Sequence, residues 1–318
     1  NNTGNDNVAI GFSALVNNNI SQNTAVGSSA LYTNVAGLRL TAIGHNSLYY
    51  NTTNGNDNTA VGHNSLRANT TGISNVSVGS SALYKNSTGA RNIAVGTSAL
   101  SLNTTENDNI AVGDRALALN VGSQNTAVGS NALYTNSGGN YNTAMGYISS
   151  YSTNGGTNNV SIGANSLISN VTGNENVAVG AGALINNRVT GITAVGYQAL
   201  YSNTTGNNNT AVGYKSLYSN NPSVPTQSDD NTGVGSFSLF SNVLGQRNTA
   251  VGSTSLLTAT SNANTAVGYE AGSSITTQGG NTNIGYKSTP NVTALLNTTS
   301  LGANSQPTSN LNIRITTG

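Results

Sequence analysis

Apolar and polar positions along this chain follow a block that returns about every 17 residues. A Thr or β-branched residue, a small residue, a Val or Ile and a Gly stand in line, as in Thr24-Ala25-Val26-Gly27 and Thr210-Ala211-Val212-Gly213. The closing glycines are Gly11, Gly27, Gly44, Gly62, Gly79, Gly96, Gly113, Gly129, Gly146, Gly163, Gly180, Gly196, Gly213, Gly235, Gly252, Gly268, Gly285 and Gly302. They lie 16, 17 or 18 residues apart, with one step of 22 before Gly235. Such a period marks one short unit stacked on copies of itself. With each glycine as zero, position −1 is Val, Ile, Met or Leu, and position −2 is small except for Asn283. Position −3 is mostly Thr or β-branched apolar, +3 is Ala or Ser, and +4 is Leu in most coils, often followed by Tyr.

Two short strands per coil are expected, one over about −4 to −1 and one over about +2 to +6. Alternation of large and small side chains with β-branched residues fits a pleat of period two. Gly and Asn interrupt every stretch long enough for a helix. Corners rich in Asn and Gly connect the strands, because both residues tolerate positive φ. Stacked Asn side chains can also bond from coil to coil as ladders. Two columns qualify: Asn23, Asn58, Asn75, Asn92 and Asn109 at −4, and Asn34, Asn51, Asn69, Asn86 and Asn103 at +7. Charges follow the same register. Arg39 precedes Asp57, Arg91 precedes Asp108, Asp230 precedes Arg247 and Glu270 precedes Lys287, each by one coil. These are expected to form cross-coil ion pairs, which are worth little each when exposed and serve mainly as evidence of register.

The fold class expected is therefore all-β: a parallel β-solenoid of about 18 coils over residues 1–302, with a corner insertion at 221–230. Residues 303–318 read as a cap or a junction to a further domain. The small column (−2, 0, +3) implies two sheets pressed close together. The bulkier stripe then needs cover: Val26, Ile43, Val61, Val78 and Val95 at −1, with Leu31, Leu48, Leu66, Leu83 and Leu100 at +4. A parallel homotrimer with that stripe on its axis supplies the cover, since an open Val/Leu stripe is an adhesive patch. The alternative is a lone solenoid with Val and Leu inside and Ala outside.

Composition narrows the function. Charged residues are 6% of the chain, Gly numbers 38, and the net charge is +1. Strict register argues against the disorder that so polar a composition would otherwise suggest. No basic stripe runs along the repeat, so nucleic acid is not an expected partner. There is no cysteine, hence no disulfide or thiolate metal site. No apolar run reaches the length of a membrane span. The chain begins inside a repeat, at Asn1, which reads as part of something longer.

Segments such as Asn23-Thr24-Ala25-Val26-Gly27-Ser28-Ser29-Ala30-Leu31 and Asn209-Thr210-Ala211-Val212-Gly213-Tyr214-Lys215-Ser216-Leu217 resemble the head repeats of trimeric autotransporter adhesins, the YadA-like family. Similar arrays occur in trimeric surface and tail-fibre proteins of bacteria and phages. The resemblance covers about residues 1–302 and implies a left-handed parallel β-roll, three chains side by side, and a role in attachment. This chain differs in its longer repeat with a Leu-Tyr-x-Asn arm, and in having no coiled-coil stalk or membrane anchor within it.

Candidate sites lie where the pattern breaks. Pro222, Pro225, Asp229 and Asp230 fall in the long corner, a candidate binding loop or a tolerated insertion. His45 and His63 share a column, yet two histidines without a carboxylate make a poor metal site. Asp6, Asp57 and Asp108 recur every third coil, too far apart to share one calcium. Asn-x-Ser/Thr sequons are no more frequent than composition gives by chance. No His or acid recurs beside the many Ser and Thr to activate a nucleophile, and no cofactor is expected. The chain thus reads as a structural extracellular fibre or adhesin segment at a cell or virion surface. Its expected partners are copies of itself and a glycan or cell-surface receptor, the rings of the Tyr columns stacking on sugars. A phage or virus tail-fibre shaft is the alternative. Ice binding is a lesser one, because Val76, Ile93, Ile110, Val160 and Val177 interrupt the Thr column.

Overall fold

A computed structural model describes residues 4–220, 230–290, 295–310 and 313–315. The chain is an all-β parallel β-solenoid that divides into two compact units, residues 1–158 and 159–318. Each unit contains nine of the anchor glycines.

In both units the triplet before each glycine is a three-residue strand, as at Thr24–Val26 and Thr210–Val212. β-Branched residues favour this backbone. Successive triplets pair in parallel with no slip. In the first unit Ala42 lies opposite Ala25, and Ala60, Ser77 and Ala94 continue the row. In the second, Ala178, Ala194, Ala211, Gly233, Ala250, Ala266, Asn283 and Ser300 form the same row. The long step is absorbed as well, since Thr210 pairs directly with Thr232. Register therefore belongs to the strands, and length variation is confined to the corners. Ile313–Ile315 pairs in parallel with Thr299–Leu301, adding one more strand after the last anchor.

The expected second strand does not form over +2 to +6. There the chain takes a turning path with positive φ at +2 and +4: Ser29 and Leu31 have φ of 55° and 50°, Ser98 and Leu100 have 56° and 51°. Residues between them stay on the negative side, so two hands alternate with the same period as a pleat. That is why the pattern of large and small side chains suggested a strand. Hydrogen bonds still run from coil to coil, Ser29 N–H to Phe12 O at 2.8 Å and Leu31 N–H to Ser47 O at 3.0 Å. Among the described residues, true pairing on this side is limited to two-residue strands, at Asn17–Asn18, Thr33–Asn34, Tyr50–Asn51, Leu119–Asn120, Thr135–Asn136 and Ser152–Thr153.

The interior of each unit is built from the −2, +3 and +4 columns together. Ala25, Ala42, Ala60 and Ala94 pack with Ala30, Ala82, Ala99 and with Leu31, Leu48, Leu66, Leu83 and Leu100, all buried. The second unit repeats this with Ala178, Ala194, Ala211, Leu167, Leu184, Leu200 and Leu217. The stripe grouped by sequence is thus divided. Leu31 and its equivalents are covered by their own chain, whereas Val26, Ile43, Val61, Val78 and Val95 face outward, Ile43 being 39% and Val78 36% exposed. A solenoid with Val and Leu inside and Ala outside is overturned by the same burial. The physical reason is alternation along a three-residue strand: when −2 points inward, −3 and −1 must point out. The anchor glycines allow the coils to approach. A Cβ on Gly27 would lie 2.7 Å from the carbonyl carbon and oxygen of Gly44, inside contact distance.

Candidate functional site

Asn side chains bind the coils to one another in two ways. At +7 each amide donates upstream: Asn34 to Asn18 at 2.7 Å, then Asn51 to Asn34, Asn69 to Asn51, Asn86 to Asn69 and Asn103 to Asn86, each at 3.0 Å. The same Nδ2 also donates to a carbonyl three residues on, Asn69 to Gly72 at 3.0 Å and Asn86 to Gly89 at 2.9 Å. At −4 the bonding goes to main chain. Oδ1 of Asn23 accepts the Leu40 N–H, and those of Asn58, Asn75, Asn92 and Asn109 accept the N–H of the next coil's Asn at 2.9–3.0 Å. Their Nδ2 groups reach the same corner carbonyls, Asn58 to Gly72 at 2.7 Å and Asn75 to Gly89 at 2.8 Å. One carbonyl per corner thus takes both columns. Where Thr153 replaces Asn, the Asn136 Oδ1 is left without a partner and the ladder stops.

Three of the four expected ion pairs form. Arg39 holds Asp57 and Arg91 holds Asp108 through two hydrogen bonds each, and Lys287 lies 3.4 Å from Glu270. The guanidinium hydrogen bonds keep the Asp57 and Asp108 carboxyls below their ordinary values. Glu270 is likewise lowered, by hydrogen bonds from the Tyr269 hydroxyl and the Lys287 ammonium. Asp230 does not pair with Arg247. Its carboxylate accepts instead from Asn208 Nδ2 at 3.3 Å. Pro222, Pro225 and Asp229 lie outside the described residues, so of the candidate loop only Asp230 is placed.

His45 and His63 stack with centroids 5.4 Å apart, and His63 also meets the Asn64 amide. Among the described residues no group of three or more His, Cys, Asp or Glu could hold a metal ion. No helix among them is long and apolar enough to cross a membrane.

Aromatic side chains form short stacks down the surface. In the first unit Tyr32 stacks on Tyr49 at 4.8 Å and Tyr134 on Tyr151 at 5.1 Å, while Arg67 inserts over Tyr49, Tyr50 and Tyr84. In the second, Tyr201, Tyr218 and Phe240 continue at 5.1 and 5.2 Å, with Tyr197 over Tyr214 and Tyr269 over Tyr286 in the +1 column. The rings lie nearly parallel and cover one another's faces. Each two-ring stack covers one face of each of its rings, and among the described residues only Tyr218, between Tyr201 and Phe240, has a ring stacked on both sides. The +1 ladder was not singled out from sequence, although the same column count that found the +5 Tyr would have found Tyr197, Tyr214, Tyr269 and Tyr286.

The outward sheet face carries two columns side by side. The −3 column runs Val76, Ile93, Ile110 in the first unit, and the −1 column runs Val78, Val95, Val112, each half-buried to exposed. In the second unit Thr occupies −3 without a break in seven coils, at Thr193, Thr210, Thr232, Thr249, Thr265, Thr282 and Thr299. Parallel coils joined by internal Asn ladders make a repeat β-solenoid, an architecture consistent with a structural role. No family model matches the chain, and no curated protein is similar enough to it to count as a match.

Proposed function

We propose that this chain is a structural segment of an extracellular fibre, in which three parallel copies bury their outward Thr/Val faces against one another. The observation that supports it is that face: the −1 column is Val, Ile, Met or Leu in every coil and remains partly open to water. Large contiguous apolar patches on soluble chains mark association surfaces. Only two side chains wide, such a face suits convergence on an axis better than burial across a broad flat dimer. Parallel threefold packing keeps each coil level with the same coil of its neighbours and closes the assembly. The resemblance to adhesin head repeats points the same way. The remaining surfaces, with their aromatic edges and polar corners, are then free for attachment to cells or glycans. A tail-fibre shaft on a phage or virus particle is the same object in another setting.

Sedimentation equilibrium tests the proposal. A mass of three chains over a wide concentration range is expected, and a persistent monomer would sink it. The unbroken Thr run from Thr193 to Thr299 favours ice binding as a second reading, because it sets hydroxyl and methyl groups at the strand repeat of about 4.8 Å. Thermal hysteresis from a monomeric sample would decide for that reading.

A further inference from the structure

Within the second unit the surface columns change character at one place. Ala164 and Ala181 occupy +1, followed by Asn165 and Gly182 at +2, and the next two coils bring Tyr197 with Tyr201 and Tyr214 with Tyr218. Tyr197 stacks on Tyr214 and Tyr201 on Tyr218. In the preceding coil the Tyr201 column holds Ile185, whereas the Tyr197 column holds only Ala181, and Tyr197 is 46% exposed. The result is a notch of about 240 Å³, with Ala181 and Gly182 in its floor, Tyr197 and Tyr201 as walls, Ile185 completing the apolar side, and Asn165 and Gln198 at the rim.

Gly182 lies buried beneath Gln198 and Tyr201 and puts no side chain into the notch. A Cβ there would lie 3.9 Å from two ring carbons of Tyr201 and 3.3 Å from Gln198 Cγ. Other coils show that a side chain is permitted at this position, as with Asn131 and Asn165 at φ of 55° and 57°. The opening is therefore a property of this coil and not of the repeat.

We propose that the notch binds one hexopyranose ring of a surface glycan. Its lining contains no charged group, which disfavours phosphates, carboxylates and cations. The exposed Tyr197 ring suits the C–H face of a sugar, and two side-chain amides can each donate to and accept from hydroxyls. The volume is below the roughly 300–1,000 Å³ of drug-sized sites and fits a single ring. This inference rests on the attachment role proposed above and names its ligand class.

Saturation-transfer NMR on the full chain with methyl β-D-galactopyranoside tests it. Transfer is expected to be strongest at the ring C–H protons of one sugar face. Ala181→Tyr, which caps Tyr197 as Tyr197 itself caps Tyr214, and Gly182→Asn, which fills the floor, should each weaken binding about tenfold, equivalent to about 1.4 kcal/mol. Both variants place residues that other coils already carry, so circular dichroism and mass should match the parent. Absence of transfer to the parent chain, or equal transfer to both capped variants, overturns the site. A three-chain mass without transfer removes the sugar site alone, whereas transfer to a monomer removes the trimer alone.

Discussion

At the scale of single residues, the most unusual feature is that Leu sits in the left-handed region coil after coil, from Leu15 at 52° to Leu256 at 46°. That conformation costs an L-residue roughly 1–2 kcal/mol. It persists because it sends the Leu side chain into the core while its N–H reaches the next coil. Leu at +4 was legible in the sequence as a column, but its hand was not, since nothing about Leu signals positive φ. Asn283 was legible too, as the one large residue at −2. In the structure it is buried between Ala266 and Ser300, and neither its amide nitrogen nor its oxygen has a hydrogen-bonding partner. Nearby the +4 column has lost its Leu, to Gly272 and Thr289, which makes room for the amide. Asn283→Ala is expected to raise stability by about 1–2 kcal/mol, the cost of a buried unpaired polar group less the packing it supplies. Thermal melting checks this, and a lower melting temperature would show that filling the space matters more.

At the scale of the element, one coil is too short to hold itself and depends on side chains that cross to its neighbours. Asn86 gives to Asn69 and Gly89 and accepts from Asn103. Asn86→Ala should therefore cost about 2–3 kcal/mol by leaving buried groups unpaired. Hydrogen exchange should report the loss locally, with faster exchange of amides around Gly72, Gly89 and Glu106, whose carbonyls gather the ladder bonds. The two arginine clamps predict a pH effect. Because the folded carboxyls of Asp57 and Asp108 are lowered, their stabilisation is complete above the ordinary aspartate value of about 3.9 and disappears as pH falls through the folded values. The double change Asp57→Asn with Asp108→Asn should lower the melting temperature slightly at neutral pH and not at all in strong acid. Salt should shrink the difference, since both pairs are exposed. Ladders and clamps were legible because they repeat with the coil. Main-chain bonding by the −4 Asn was not, because sequence gives the column but not the direction an amide points.

For the molecule as a whole, each nine-coil unit buries Ala and Leu and leaves Val and Thr outside. Sequence grouped Val with Leu because both are large. Only the three-residue strand separates them, by fixing which of two adjacent positions faces in. Association through the outer columns predicts that Val95→Glu with Val112→Glu, on one face of the first unit, reduces the three-chain mass to one chain. Circular dichroism should remain that of the coils, because neither side chain enters the interior.

The glycine column also bears on how such a chain changes over generations. Within each unit, from Gly11 to Gly146 and from Gly163 to Gly302, each anchor meets the next one, so the two sides of a cut between coils of one unit both end on glycine. A coil gained or lost within a unit would then rejoin glycine to glycine, and the gene acts as a ruler graduated in coils.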